Sequence, residues 1–143
     1  MKTYNLTKED KELIKIAKAL AKPKKVVGGI VREVGCALIT KGGKIFTGAS
    51  MDLACGIGFC GEHSAIANMI SHSNETEIKT LAACSNSKTN PAGPPCGRCR
   101  ELMNLIDKNN HKNTFVIISD KEKVKLDDLL PLNWLEGENW DIR

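Results

Sequence analysis

The order of apolar patterns along the chain predicts an α/β protein built on a mixed, five-stranded sheet with helices packed on its faces. Three observations carry that prediction. Apolar residues recur at helical spacing in some stretches and as compact β-prone runs in others, and the two kinds alternate. A glycine pair lies between the first two strand-like runs, where a tight hairpin needs it. The later strand-like runs are separated by helical stretches, and a strand–helix–strand unit needs a crossover that lays its helix against the sheet.

Thr7-Lys8-Glu9-Asp10 offers a hydroxyl cap with an acid three residues on, and Leu13, Ile14, Ile16, Ala17 and Leu20 follow at helical spacing. The first helix is therefore expected over residues 8–21, ending before Pro23. Residues 22–32, rich in Lys, Val and Gly, read as a loop or the approach to the sheet. Residues 34–40 read as a buried strand and 44–47 as its partner, with Lys41-Gly42-Gly43 supplying the positive φ angles of the turn. Ala65, Ile66, Met69 and Ile70 form the stripe of a helix over 62–71 that begins at or just after Cys60. Residues 78–84 are compact and apolar, hence a strand, while Pro91, Pro94 and Pro95 make 86–95 a loop. A helix over 97–108 points Leu102, Leu105 and Ile106 inward; a β-prone strand covers 115–119, and a short helix over 126–130 ends at Pro131. With a short terminal strand the set is complete. Neither a repeat nor an interdomain linker interrupts it, so a single domain over 1–143 is expected.

Composition narrows the class. At 143 residues the chain is long enough to bury a real core, and 41% hydrophobic with 27% charged residues is ordinary for a globular protein. No apolar run approaches the roughly 20 residues that span a bilayer, and the lysine-rich, acid-containing start lacks the apolar core of a signal peptide, so a cytoplasmic protein is expected. The net charge of +4 is spread among acids rather than gathered in a run, and six aromatic residues offer no evident platform for stacked bases. Nucleic-acid and membrane partners are therefore not indicated. In such a compartment C-x-x-C reads as metal-binding rather than as a disulfide. Cys36, Cys55 and Cys84, among small or apolar neighbours, are expected to be buried, reduced and inert.

The residues that carry chemistry are Cys60-Gly61-Glu62 and, downstream, Pro95-Cys96-Gly97-Arg98-Cys99. Cys60, Cys96 and Cys99 can occupy three corners of a zinc tetrahedron, one zinc per chain. A structural site usually fills all four corners with protein, whereas a catalytic one leaves a position for water. Zinc brings the pKa of bound water towards neutrality, and Glu62, beside the ligands but not one of them, is placed to act as the base. Both cysteine positions open predicted helices, whose positive dipole ends favour thiolate. Three thiolates leave the site at a formal charge of about −1, which second-shell donors such as His63, Arg100 or Arg98 would offset. A closed site with His63 as fourth ligand stays open, as does a zinc-stabilised RNA- or protein-binding module that lacks catalysis and has no need of Glu62.

At these residues the chain resembles the cytidine deaminase family over most of its length. Val34-Gly35-Cys36-Ala37-Leu38 is similar to the family's V-G-A-A-L strand, Cys60-Gly61-Glu62 to its C-A-E, and Pro95-Cys96-Gly97-Arg98-Cys99-Arg100-Glu101-Leu102 to its P-C-G-x-C-R-Q. Gly42-Gly43-Lys44-Ile45-Phe46-Thr47-Gly48 resembles its hairpin and second strand. Leu129-Leu130-Pro131 with Trp134 resembles its C-terminal L-L-P-x-x-aromatic end. The P-C-G-R-C-R and G-x-I-F-T-G segments lean towards the blasticidin S deaminase branch.

The resemblance implies a three-layer α/β/α sandwich, a homotetramer and zinc-dependent hydrolysis of a cytosine-type nucleoside, cytidine or deoxycytidine, to its uracil counterpart with release of ammonia, in pyrimidine salvage. A cytosine nucleoside analogue such as blasticidin S is the alternative substrate. Glu62 would then carry protons from water to the ring nitrogen and the departing amine. The family's arginine after C-A-E falls on His63. Its N-x-E, which holds the ribose, falls on Ser50 and Asp52, and the linker from there to Cys60 is one residue short. The family's phenylalanine before V-G-A-A-L falls on Arg32. Trp134 is expected in packing at the core or an interface, or capping substrate; Trp140 and the tail carry no signal.

Overall fold

The computed structural model describes residues 1–136 of the chain. The first helix, α1 (Lys8–Leu20), starts as its sequence dictates. Thr7 Oγ1 accepts from the Asp10 amide at 3.2 Å, and the Thr7 amide donates to Asp10 Oδ2 at 2.8 Å, a reciprocal capping box. A two-residue strand, β1 (Tyr4–Asn5), precedes it.

Next come β2 (Lys24–Val26), β3 (Gly29–Thr40) and β4 (Ile45–Leu53), then helix α2 (Gly61–His72) and β5 (Ile78–Cys84). A short β6 (Ala92–Gly93) leads to α3 (Gly97–Ile106), α4 (Lys108–Asn113), β7 (Phe115–Ile117), β8 (Glu122–Lys125) and α5 (Leu126–Leu129). The strands make one mixed sheet in the order β1-β8-β7-β5-β3-β2, with β4 and β6 pairing β3 and β5 from outside that path. The β5–β7 pair is parallel, Leu81 lying opposite Val116, and the other pairs are antiparallel.

The sheet has eight strands rather than five. The extra ones, β1, β2 and β6, are two or three residues long and mostly polar or small, so they show no apolar alternation; pairing with longer neighbours holds them. β4 also runs well past the expected end at 47. Its Gly48-Ala49-Ser50 stretch lacks the β-branched signal because α2 lies directly on it: a Cβ at Gly48 would stand 2.2 Å from the Ala65 amide nitrogen. The expected third helix is two, broken at Asp107 (φ −158°, ψ 121°), whose carboxylate caps α4 by accepting from the Asn109 amide at 2.9 Å.

Strand alternation sorts β3 between two cores. Cys36 and Leu38 face α2 and α3, where Ala65, Ile66, Met69, Leu81 and Met103 are buried. Ala37 and Ile39 face α1, with Leu13, Ala17, Ala82 and Cys84. The result is the three-layer α/β/α arrangement. Among the described residues no helix is long and apolar enough to cross a membrane. β4 is antiparallel to β3, and β3 to β5, so β4 and β5 run the same way and their carboxyl ends share one end of the sheet. The chain leaves both strands there and turns into α2 and α3. Trp140 lies outside the described residues.

Candidate metal centre and its cavity

Cys60 and Cys96 are the N-cap residues of α2 and α3, both extended (ψ 159° and 167°), and neither side chain caps its own helix. Their sulfurs are thus free to meet, at 3.6 Å. Cys99, one turn into α3 and buried, completes a set of sulfurs that all lie within 4.8 Å of one another. Ligands about 2.3 Å from a tetrahedral zinc are separated by about 3.8 Å, so the thiols already stand near the spacing that one zinc ion requires. Two helix N-termini point at the same place, which favours anionic sulfur.

The surrounding electrostatics suit a cation. Burial raises the Cys99 thiol well above its ordinary value, and the charges of Glu62, Cys60 and Cys96 raise it further. Cys60 is also raised by burial, with the Cys96 hydrogen bond adding to the effect. Cys96 moves down: burial opposes this, but the Cys99 amide and the hydrogen bonds of the two partner thiols outweigh it. Without metal, Cys99 and Cys60 hold their protons more tightly than free thiols do, and a divalent ion must displace them.

A cleft of about 700 Å³ opens on this cluster. Cys60, Cys96 and Glu62 line its inner end; β4 contributes Ser50, Met51 and Asp52, and the 85–96 segment forms the opposite wall with Asn90, Pro91 and Pro94. Glu62 is only 5% exposed, and burial raises its carboxyl above the usual range while its own backbone amide pulls the other way. A buried carboxyl with a raised pKa can hold a proton near neutrality and pass it on.

Ser50, expected in the loop after a shorter strand, lies on β4 and accepts from the Val34 amide through Oγ at 2.9 Å. Asp52, on the same strand opposite Ile30, is exposed at the cleft. The two second-shell expectations fare differently. Arg100 does not turn to the sulfurs: it donates from Nε to the Pro95 carbonyl at 2.8 Å and from Nη1 to the Leu129 carbonyl at 3.1 Å, bracing the turn that presents Cys96. His63 stacks on Phe59 with ring centroids 4.7 Å apart, and its buried Nδ1 has no hydrogen-bond partner among the described residues. Arg98 is the cation that lines the cleft.

Of the remaining cysteines, Cys36 and Cys84 are buried, and burial raises the Cys84 thiol to about 12. Cys55 is exposed, contrary to expectation, because it sits at φ 62° in a turn outside the core. Arg32 has φ 66° in a bulge of β3 and donates from Nε to the Leu20 carbonyl at 3.3 Å. Trp134 is not among the cleft-lining residues; its amide donates to the Glu101 carboxylate. Glu33, Phe59 and Asn90 also line the cleft and were not singled out from the sequence, since lining is set by tertiary proximity. Arg98 did carry a sequence signal, inside the cysteine motif.

Comparison with known proteins agrees with this geometry. Residues 7–113 match the family described as the cytidine and deoxycytidylate deaminase zinc-binding region. Blasticidin-S deaminase of Bacillus cereus is 26% identical over 94% of this chain and 98% of its own. The crystal structure of cytidine deaminase from Burkholderia pseudomallei shares 28% identity and a TM-score of 0.67 over 90% of this chain and 100% of that one. That from Mycobacterium leprae superposes with a TM-score of 0.71 at 21% identity, over 88% and 99% of the two chains.

Proposed function

The chain belongs to the cytidine and deoxycytidylate deaminase zinc-binding family, and on that premise we propose that it is a zinc-dependent hydrolase converting cytidine or deoxycytidine to the uracil nucleoside with release of ammonia. The observation that carries this reading is the clustering of three thiols, two of which line one cleft together with the buried Glu62 carboxylate.

In this reading Cys60, Cys96 and Cys99 hold the metal, and zinc, when bound, supplies a Lewis acid that makes water a competent nucleophile at neutral pH. Glu62 takes the proton from the attacking water and delivers it to ring N3 as the oxygen adds at C4. It then gives the second proton of that water to the amine, which leaves as ammonia while the carbonyl forms. Burial serves Glu62 in both directions, because a carboxyl poised nearer neutrality can accept and donate in one cycle. Ser50 and Asp52 contact the sugar, His63 steadies the Cys60–Glu62 turn through its stack on Phe59, and Arg100 holds the Pro95–Cys96 turn.

The Bacillus cereus relative favours a second reading in which the substrate is a cytosine nucleoside analogue such as blasticidin S. Paired turnover assays decide between them; cytidine turning over far more slowly than blasticidin S would reverse the order. The finer expectations also stand as proposals: one domain over 1–143, a homotetramer, a cytoplasmic location and a place in pyrimidine salvage. Continuity of the eight-stranded sheet supports the first. The test of the mechanism is Glu62→Gln, which lowers ammonia release by at least about a hundredfold while keeping the fold and one zinc per chain. Activity retained in that variant sinks the mechanism.

A further inference from the structure

The cleft holds one feature that the proton transfers do not use. Phe59 is the one aromatic residue that lines it among the described residues. The chain fixes this residue closely. Phe59 forms an isolated bridge with Met51 of β4, its amide donating to the Met51 carbonyl and its carbonyl accepting from the Met51 amide, both at 2.9 Å. Glycine permits that approach, since a Cβ at Gly58 would run into the Met51 carbonyl oxygen. The Phe59 ring itself lies against His63, with centroids 4.7 Å apart and planes 27° from parallel. His63 does not line the cleft, and its buried Nδ1 has no hydrogen-bond partner among the described residues. What the structure gives the imidazole to do is to back the Phe59 ring.

Resting on the reading of this cleft as a nucleoside deaminase site, we infer that Phe59, backed by His63, is the surface on which the face of the pyrimidine lies, so that the enzyme selects a flat, unsaturated ring. The edges of a pyrimidine carry its hydrogen-bonding groups, whereas its faces are satisfied by apolar or aromatic surface. On that reading the edge bearing N3 and the amine meets Glu62, three positions along the chain from Phe59, and both residues line the same cleft. Phe59 enters from the β4 side, where its bridge to Met51 holds it, while Pro91 and Pro94 belong to the opposite wall. A planar base entering between them meets an aromatic ring on one side and aliphatic rings on the other. His63 gives Phe59 a fixed back, so less ordering is left to be done when the substrate arrives.

The test uses the zinc-loaded full chain and a pair of ligands that need no turnover, uridine and 5,6-dihydrouridine. The saturated ring of the second keeps the same edge at N3 and O4 but has no π face. By calorimetry uridine binds roughly fivefold to a hundredfold more tightly, as base stacking on an aromatic ring does. Phe59→Leu brings the ratio near one, Phe59→Tyr keeps it, and His63→Leu lowers it part of the way. Zinc per chain is measured for each variant, because Phe59 precedes Cys60. The unaltered protein gives a second readout: with its phenylalanine rings isotope-labelled, nuclear Overhauser contacts appear between a phenylalanine ring and uridine H5 and H6. Of the chain's three phenylalanines, Phe46 packs on the core and Phe115 against Tyr4, and neither lines the cleft, so such a contact belongs to Phe59. Equal binding of the two ligands, a ratio unchanged in zinc-loaded Phe59→Leu, or a spectrum without that contact overturns the inference. Normal ammonia release from cytidine beside such a result leaves the deaminase reading intact. The contact and the ratio without ammonia release from any aminopyrimidine nucleoside overturn that reading instead.

Discussion

Glu62 pays for its position in the absence of metal: a carboxylate that is 5% exposed is hard to keep ionised. Its folded-state value is raised above the ordinary 4.5, so stability linked to it is complete below that range and is lost as pH rises through the folded value. Glu62→Gln therefore stabilises the metal-free protein at neutral pH, and the gain fades on acidification. Urea midpoints of chelated protein across pH check this; parallel curves for the two proteins would contradict it. At the thiols the sign concerns metal. Cys99 and Cys60 keep their protons in the empty site, so zinc affinity climbs with pH, by about tenfold per unit for each proton displaced, as a competing chelator would reveal. The metal-binding residues were legible in the sequence because C-x-x-C is local and Glu62 is two positions from Cys60. Glu33 and Asn90 were not, since strand pairing and a loop bring them to the cleft.

Elements place these residues by close contact. A Cβ at Gly48 would meet the α2 backbone, 2.2 Å from the Ala65 nitrogen and 2.5 Å from the Ser64 carbonyl carbon. Gly48→Ala must push the helix that carries Cys60 and Glu62 outward, costing about 1–3 kcal/mol as overpacking does and lowering kcat more than it raises KM. Denaturant melts together with steady-state rates measure both effects, and an unchanged kcat would show that the start of α2 is held independently of β4. The same contact explains why the end of β4 was missed: small residues that admit a helix give no β signal. Helices with a cap and a stripe, such as α1, were readable almost to the residue. The break at Asp107 was hidden because Asp107 caps α4 from within an otherwise helical pattern.

Across the whole molecule, β8, the strand next to the edge of the sheet, is fastened to the first helix by Lys123 and Asp10, 2.6 Å apart and nearly buried. Asp10 also closes the capping box of α1. Their separation along the chain, 113 residues, hides the pair from any local pattern, although the box itself was visible. Lys123→Ala leaves a buried carboxylate without its cation and destabilises by about 3–5 kcal/mol, read as a lower urea midpoint; a loss near zero would mean that Asp10 takes up a proton at little expense. A mixed sheet with helices on its faces followed from the alternation of helices and strands, and the three layers from the family resemblance. Sheet order did not, because β2 and β8 are short, lysine-rich strands that pairing alone sustains.

The Cys60–Cys96 approach has a topological consequence. On the proposed ligand assignment, zinc ties together two points 36 residues apart, enclosing α2, β5 and the loop wall in a ring. Such a ring restricts the unfolded chain as a disulfide of that span does, by about 4 kcal/mol on chain-entropy scaling. The bond is one that a chelator can open. The metal would thus be a reversible cross-link as well as a reactant's partner, and a chain unfolded with zinc still attached would have a shorter conformational search on the way back.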